Sequence, residues 1–278
     1  MNGIERIAGA FAAVVPRAAL MPYLMGGYPD LALSRAIGEA YVDAGADLLE
    51  LGVPFSDPLA DGPVIHAAGT AALRGGATFE GVLDVAATLA PRVPVVLMVY
   101  ANALLVRGYT QVARALADSG ACGVIVPDLP LEEASELRAA CEQLGVAVIG
   151  LVAPTTPPER LREIGAHTRG FLYTVSVTGT TGERGSAPEA LAEVIARARA
   201  STTVPVAVGF GIGTPAAAAG AAAAGADGVI VGSRLVRAVG EARPAGPDAI
   251  VASVGKLVSE LRAALEGAIR APAAPSPV

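Results

Sequence analysis

The stretch from Leu48 to Pro63 reads LLELGVPFSDPLADGP. It begins as an apolar run carrying a single acid, Leu48-Leu49-Glu50-Leu51. Gly52, Pro54 and Pro58 then break regular structure, and the segment closes at Asp61-Gly62-Pro63. A short apolar run bounded by glycine and proline predicts a buried strand running out into a loop. Burying a carboxylate in such a run is costly unless the group has a partner or a chemical task. Glu50, and Asp61 eleven residues later, are therefore the first candidates for chemistry.

Outward from this segment, strand-like and helix-like patterns alternate along the chain. Strands are predicted at 18–25, 47–51, 95–100, 123–126, 146–152, 170–176, 204–209 and 228–231. Helices are predicted at 31–44, 63–74, 78–90, 110–119, 131–144, 157–165, 188–200, 214–224 and 234–239. Thr155 and Thr156 are expected to cap the helix at 157–165, and Thr214, followed by Pro215, the helix at 214–224. An amphipathic helix over 2–14 precedes the first strand, and a last helix covers 247–267. A weak internal echo, Gly45-Ala46-Asp47, Gly120-Ala121-Cys122 and Gly225-Ala226-Asp227, places a helix-ending glycine before three of the strands.

Strict alternation predicts a parallel sheet, and eight units predict a closed (β/α)8 TIM barrel with an extra N-terminal helix. Residues 1–270 are expected to form this single domain, and the Pro/Ala-rich segment 271–278 to be a disordered tail. An open doubly wound sheet is disfavoured, because no G-x-G-x-x-G follows the first strand.

Bulk composition narrows the function classes. Hydrophobic residues make up 53% of the 278-residue chain, and the mean hydropathy is +0.54. The apolar residues lie in short blocks, however, and none has the roughly 18-residue length and composition of a spanning helix. The first residues show no secretory pattern, so a cytoplasmic protein is expected. A net charge of −6, no tryptophan and no basic block argue against nucleic acid. Cys122, Cys141, His66 and His167 form no metal or redox spacing.

In a barrel of this kind, catalytic groups sit at strand C-termini and in the loops that follow. Glu50 and Asp61 meet that condition, as do Tyr100, Asp128 and Tyr173. Asp128 is better read as a turn residue in Val126-Pro127-Asp128-Leu129-Pro130, and Tyr100 and Tyr173 suit barrel packing as well as substrate contact. Gly209-Phe210-Gly211-Ile212-Gly213-Thr214 follows strand seven, and Gly232-Ser233 follows strand eight. Glycines at helix N-termini after these two strands let backbone N–H groups approach an anion, which points to a phosphate ester. Gly182, after strand six, is a third contributor. The only lysine, Lys256, lies near the C-terminus, away from any strand end, which removes a Schiff-base aldolase. Without clustered histidines a metal aldolase is also disfavoured. Carboxylate acid–base chemistry on a phosphorylated substrate remains.

The run Leu49 to Pro63 resembles the signature of the tryptophan synthase α subunit family. The likeness extends to Pro22-Tyr23, Gly27-Tyr28-Pro29-Asp30, Val126 to Pro130, Ala153 to Pro157, Tyr173 to Gly179, Thr181-Gly182, Gly209 to Ile212 and Val231-Gly232-Ser233. The resemblance implies a (β/α)8 lyase that splits indole-3-glycerol phosphate into indole and glyceraldehyde 3-phosphate. It implies Glu50 as general acid–base and Asp61 as the group that holds the indole N–H, with Thr181 hydrogen-bonding Asp61 and Tyr173 near the glycerol chain. Gly182, Phe210, Gly211, Gly232 and Ser233 would hold the phosphate, and Tyr23, Met98, Tyr100, Ile125 and Leu151 the indole. No metal and no cofactor are implied in this barrel. Pyridoxal phosphate would belong to a β subunit, expected in an α2β2 complex, to which indole passes through a tunnel.

Two departures stand out. Met25 occupies a position where a small polar residue is expected, and Ala101-Asn102-Ala103 lacks a proline after the asparagine. Alternatives are a stand-alone indole-releasing lyase, a non-catalytic activator of a β subunit, and another phosphate-binding barrel such as a sugar-phosphate isomerase.

Overall fold

Three of the chain's strands are introduced by the same short phrase, and the phrase explains itself structurally. Gly45, Gly120 and Gly225 have φ of +96°, +73° and +101°, the left-handed region that ends a helix and that only glycine enters at little cost. In two copies the aspartate that follows performs one task. Asp47 Oδ2 accepts the Leu20 N–H at 2.7 Å and pairs with Arg17 at 2.6 Å, while Arg262 lies 3.2 Å from its other oxygen. Asp227 Oδ2 accepts the Val206 N–H at 2.8 Å and pairs with Arg199 at 2.7 Å. Each aspartate thus ties the start of its strand to the neighbouring strand and to a helix. In the third copy Cys122 takes this place and is simply buried.

The computed structural model describes residues 1–175, 188–209 and 211–268. In chain order these form α1 (Gly3–Val14), β1 (Ala19–Met25), α2 (Leu31–Asp43), β2 (Leu49–Gly52), α3 (Pro63–Arg74), α4 (Phe79–Leu89), β3 (Val95–Met98), α5 (Ala101–Leu105) and α6 (Tyr109–Asp118). There follow β4 (Gly123–Ile125), α7 (Ser135–Gln143), β5 (Ala147–Ile149), β6 (Leu151–Val152), α8 (Pro158–His167), β7 (Leu172–Val175) and α9 (Pro188–Arg199). The chain then continues through β8 (Val206–Gly209), α10 (Pro215–Ala223), β9 (Gly228–Val231), α11 (Ser233–Ala242) and α12 (Pro247–Glu266). The predicted tail at 271–278 lies outside the described residues.

Every strand pairing is parallel, in the order β5-β4-β3-β2-β1-β9-β8-β7-β6. The predicted fifth strand is thus two short strands, β5 and β6, at opposite ends of this order. Gly150 joins them. Its N–H leaves the ladder to reach the Thr168 hydroxyl at 2.7 Å, while its carbonyl accepts from Tyr173 N–H at 2.9 Å. The barrel therefore closes around Gly150, with β5 continuing into β6 along the chain. With that break counted, the expected (β/α)8 barrel with an N-terminal helix is what the chain forms.

Side chains sort by the two-residue period of the strands. Leu49 and Leu51 point outward to the helices, where they join the main apolar layer. Leu48 points inward, to a cluster with Met21, Val96, Ile125, Ile149, Phe171 and Ile230. Ile7 and Phe11 of α1 belong to the same inner cluster, so the N-terminal helix packs across the N-terminal mouth of the barrel. Arg6 reinforces it by donating to the Ala90, Val93 and Gly120 carbonyls. A capping box between Asn2 and Glu5 starts this helix.

Local differences from the sequence reading have physical causes. Thr214 caps α10 as expected, accepting from Ala217 N–H at 3.1 Å. Thr155 and Thr156 do not cap α8: Pro157 holds that position, and the Thr156 hydroxyl accepts from Ala153 N–H instead. The third strand stops at Met98, and Tyr100 begins the one-turn helix α5. Among the described residues no helix is long and apolar enough to cross a membrane.

Asp47→Ala leaves Arg17 without its carboxylate, Arg262 with Glu266 alone, and the Leu20 N–H without its acceptor. It should lower unfolding free energy by about 2–4 kcal/mol, read as a lower urea midpoint.

Candidate functional site

The inward direction of Leu48 fixes that of Glu50, two residues on. Glu50 is buried, with 2% exposure. Among the described residues neither of its oxygens has a hydrogen-bond partner, and none of them holds it in a structural ion pair. Burial pushes its carboxyl up to about 8, and the charge of Asp61 adds to the effect.

Glu50 opens onto a cavity of about 410 Å3 at the C-terminal end of the barrel. Its wall includes Tyr23, Asp61, Ile65, Met98, Tyr173, Gly211, Gly232 and Ser233. The register of β1 against β2 places Tyr23 level with Glu50. Two glycines make room for the tyrosines. A Cβ at Gly52 would lie 2.0 Å from the Tyr23 hydroxyl, and one at Gly209 would lie 2.2 Å from that of Tyr173. Burial, with nearby carboxylate charge, raises both phenols well above their ordinary value and keeps them protonated.

Asp61 reaches the cavity at the end of the β2 loop, one residue before Gly62 opens α3. The loop is pinned at two places. Val53 N–H donates to Met98 carbonyl at 2.9 Å, and Phe55 stacks on Tyr100 with ring centroids 5.1 Å apart. The Tyr100 hydroxyl accepts from Ala60 N–H at 3.1 Å and faces the Asp61 carboxyl. Desolvation raises the Asp61 carboxyl, while Tyr100 and the nearby His66 pull it down. Tyr100 thus reaches the site through Asp61. Asp128 does more than form a turn: it accepts the Ala101 N–H at 2.8 Å, at the start of the short helix behind Tyr100.

On the same rim, where β9 flanks β1 on the side away from β2, Gly232 precedes α11 with no side-chain cap. The first N–H groups of a helix lack partners inside it, so this end is suited to an anion. Gly211, with φ of +75°, lies beside it on the wall. The N-terminus of α10 is partly satisfied by Thr214.

Other expected residues fall elsewhere. Ile125 is fully buried in the inner cluster, and Leu151 packs against that cluster; neither lines the cavity. Met25 stands behind the wall, packed with Ile65, Ala68 and Ala72. Thr181, Gly182 and Phe210 lie outside the described residues. Two wall residues, Arg234 and Arg237, escaped the sequence reading, although their spacing of one helical turn puts them on a common face. Among the described residues no group of three or more His, Cys, Asp or Glu could hold a metal ion.

Fold and cavity define a (β/α)8 barrel whose cavity is lined by a carboxylate pair and by a helix N-terminus suited to an anion. The model of the tryptophan synthase alpha chain family matches residues 11–266. The chain belongs to that family. It is 45% identical over 252 residues to the tryptophan synthase alpha chain of a Synechococcus species, covering 90% of this chain and 93% of the relative. It is 49% identical over 243 residues to that of Gloeobacter violaceus, covering 86% and 88%. Among solved structures, tryptophan synthase from Mycobacterium tuberculosis superposes with a TM-score of 0.84 at 41% identity, covering 94% of this chain and 98% of that one. The alpha subunit from Legionella pneumophila gives 0.86 at 36% identity, covering 96% and 99%.

The raised carboxyl of Glu50 has a consequence for stability. Below the unfolded value of 4.5 the acid is neutral in both states and costs nothing extra. As pH rises toward 8, the unfolded chain ionises freely while the folded chain resists, so stability falls. Glu50→Gln should therefore melt above wild type, by a margin that widens between about pH 5 and pH 8. Thermal unfolding across a pH series checks this, and a margin independent of pH would contradict it.

Proposed function

We propose that the protein cleaves indole-3-glycerol phosphate by a retro-aldol reaction, with Glu50 as general acid–base. The observation that carries this reading is the buried, unpartnered Glu50 facing the same cavity as Asp61 and the uncapped start of α11. At neutral pH a carboxyl lifted to about 8 is largely protonated and can act as an acid.

Glu50 delivers its proton to C3 of the indole ring, and positive charge develops at the ring nitrogen. Asp61, ionised and oriented by Tyr100, accepts the indole N–H and stabilises that charge. The Glu50 carboxylate then takes the proton from the hydroxyl on the adjoining glycerol carbon. The C–C bond breaks, its electron pair returns to the ring, and the oxygen becomes the aldehyde of glyceraldehyde 3-phosphate. Glu50 gives one proton and recovers one, so no cofactor is needed.

Gly211, Gly232 and Ser233 hold the phosphate. Tyr173 sits beside the glycerol chain, and Tyr23 and Met98 flank the ring.

A β subunit carrying pyridoxal phosphate is the proposed partner, in an α2β2 assembly in the cytoplasm. Exposed apolar side chains support a docking surface at the catalytic end: Leu59 in the β2 loop is 88% exposed, and Leu105 and Val106, after β3, are 57% and 71% exposed.

Indole release by the purified chain tests the proposal, with and without the β subunit. Glu50→Gln should cut kcat by about 10²–10⁴-fold. Wild-type activity should fall as pH passes about 8, where the Glu50 proton is lost. A silent wild type, even with the β subunit present, would overturn the reading. Full activity without a partner would favour a free-standing lyase.

A further inference from the structure

Arg234 and Arg237 are the only cations on the wall of the catalytic cavity among the described residues. Both come from α11, which turns them outward because Leu235, Val236, Ala238 and Val239 are buried on its other side. Their position is unfavourable for the helix itself. Positive charge near an N-terminus opposes the helix dipole, and no acidic residue occupies the first turn. The same charge is favourable for an anion seated at that end. Arg234 is shared with Glu241, whose Oε2 lies 3.2 Å from its Nη1. Arg237 is exposed and makes no hydrogen bond or ion pair with the described residues.

The wall also carries two carboxyls, Glu50, largely protonated at neutral pH, and Asp61. A phosphate dianion entering the cavity meets Asp61 as a like charge. The glycine N–H groups can accept the phosphate at close range, but as neutral dipoles they offset little of that repulsion at a distance. A guanidinium acts at longer range and can bind phosphate through two N–H groups.

We propose that Arg237, supported by Arg234, is a specificity-determining residue that selects dianionic phosphate monoesters by adding a cation to the backbone cradle of α11. This rests on the phosphate site in the proposed function.

The test titrates the full chain with glycerol 3-phosphate and with inorganic phosphate, by calorimetry, at low and high salt. Arg237→Gln should weaken glycerol 3-phosphate binding about tenfold and flatten its salt dependence, with the melting temperature unchanged. Arg237→Lys should recover part of the loss. Arg243→Gln removes the same charge outside this cavity and should bind as wild type. In the lyase assay Arg237→Gln should raise KM with little change in kcat. Unchanged affinity and salt dependence in Arg237→Gln would overturn the proposal, as would equal losses in Arg243→Gln or a wild type that binds neither probe. A wild type without lyase activity, in which Arg237→Gln still weakens binding, would remove the proposed reaction and support the role of Arg237.

Discussion

The site depends on placing a carboxylate on the inward face of a parallel strand. A strand in a closed barrel has no solvent-facing side: one face meets the helices and the other the barrel interior. Glu50 therefore cannot turn to water without turning the whole of β2, and Leu49 and Leu51 anchor that strand outward. The resulting desolvation raises its proton affinity. The chain does not relieve the strain with an arginine. Arg234 and Arg237 border the same cavity without pairing with Glu50, and Arg17, Arg199 and Arg262 serve the opposite end of the barrel, where they hold the aspartates that begin β2 and β9. Stabilising ion pairs and the reactive acid are thus kept at opposite ends of the same strands.

Much of this was legible because the relevant signals are local. A lone acid in an apolar run is visible in any sequence, and so are the alternation of strand and helix and the glycine that ends a helix. The parts that escaped depend on depth or on distant partners. Sequence periodicity tells which way Ile125 and Leu151 point, but not which inward side chains border the cavity and which pack into the inner cluster. Gly150 sits in a continuous apolar run, and only the Thr168 hydroxyl, eighteen residues away, reveals that the ladder is interrupted there. Asp128 looked like an ordinary turn residue because its acceptor role is completed by Ala101, in another loop. Arg234 and Arg237 carry no local signal, because arginines on a helix are common and only the tertiary arrangement shows which of them border a cavity.

The loop between β2 and α3 has to satisfy two requirements at once. Its exposed tip carries Leu59, while its base holds Asp61 through Tyr100. Phe55 stacked on Tyr100 joins the two parts mechanically. A force applied to the tip is therefore transmitted to the orientation of a group in the cavity, through packed rings and the Ala60 N–H. Such a linkage is the physical content of coupling between a docking surface and a site.

The N-terminal helix gives the molecule a direction. With Ile7 and Phe11 set into the inner cluster, the described residues fill the base of the barrel, and its cavity opens at the rim. Substrate arrival and product departure then share that opening. Whatever covers that rim controls traffic both ways, and a product can be handed on without meeting solvent only if the receiving molecule is itself the cover.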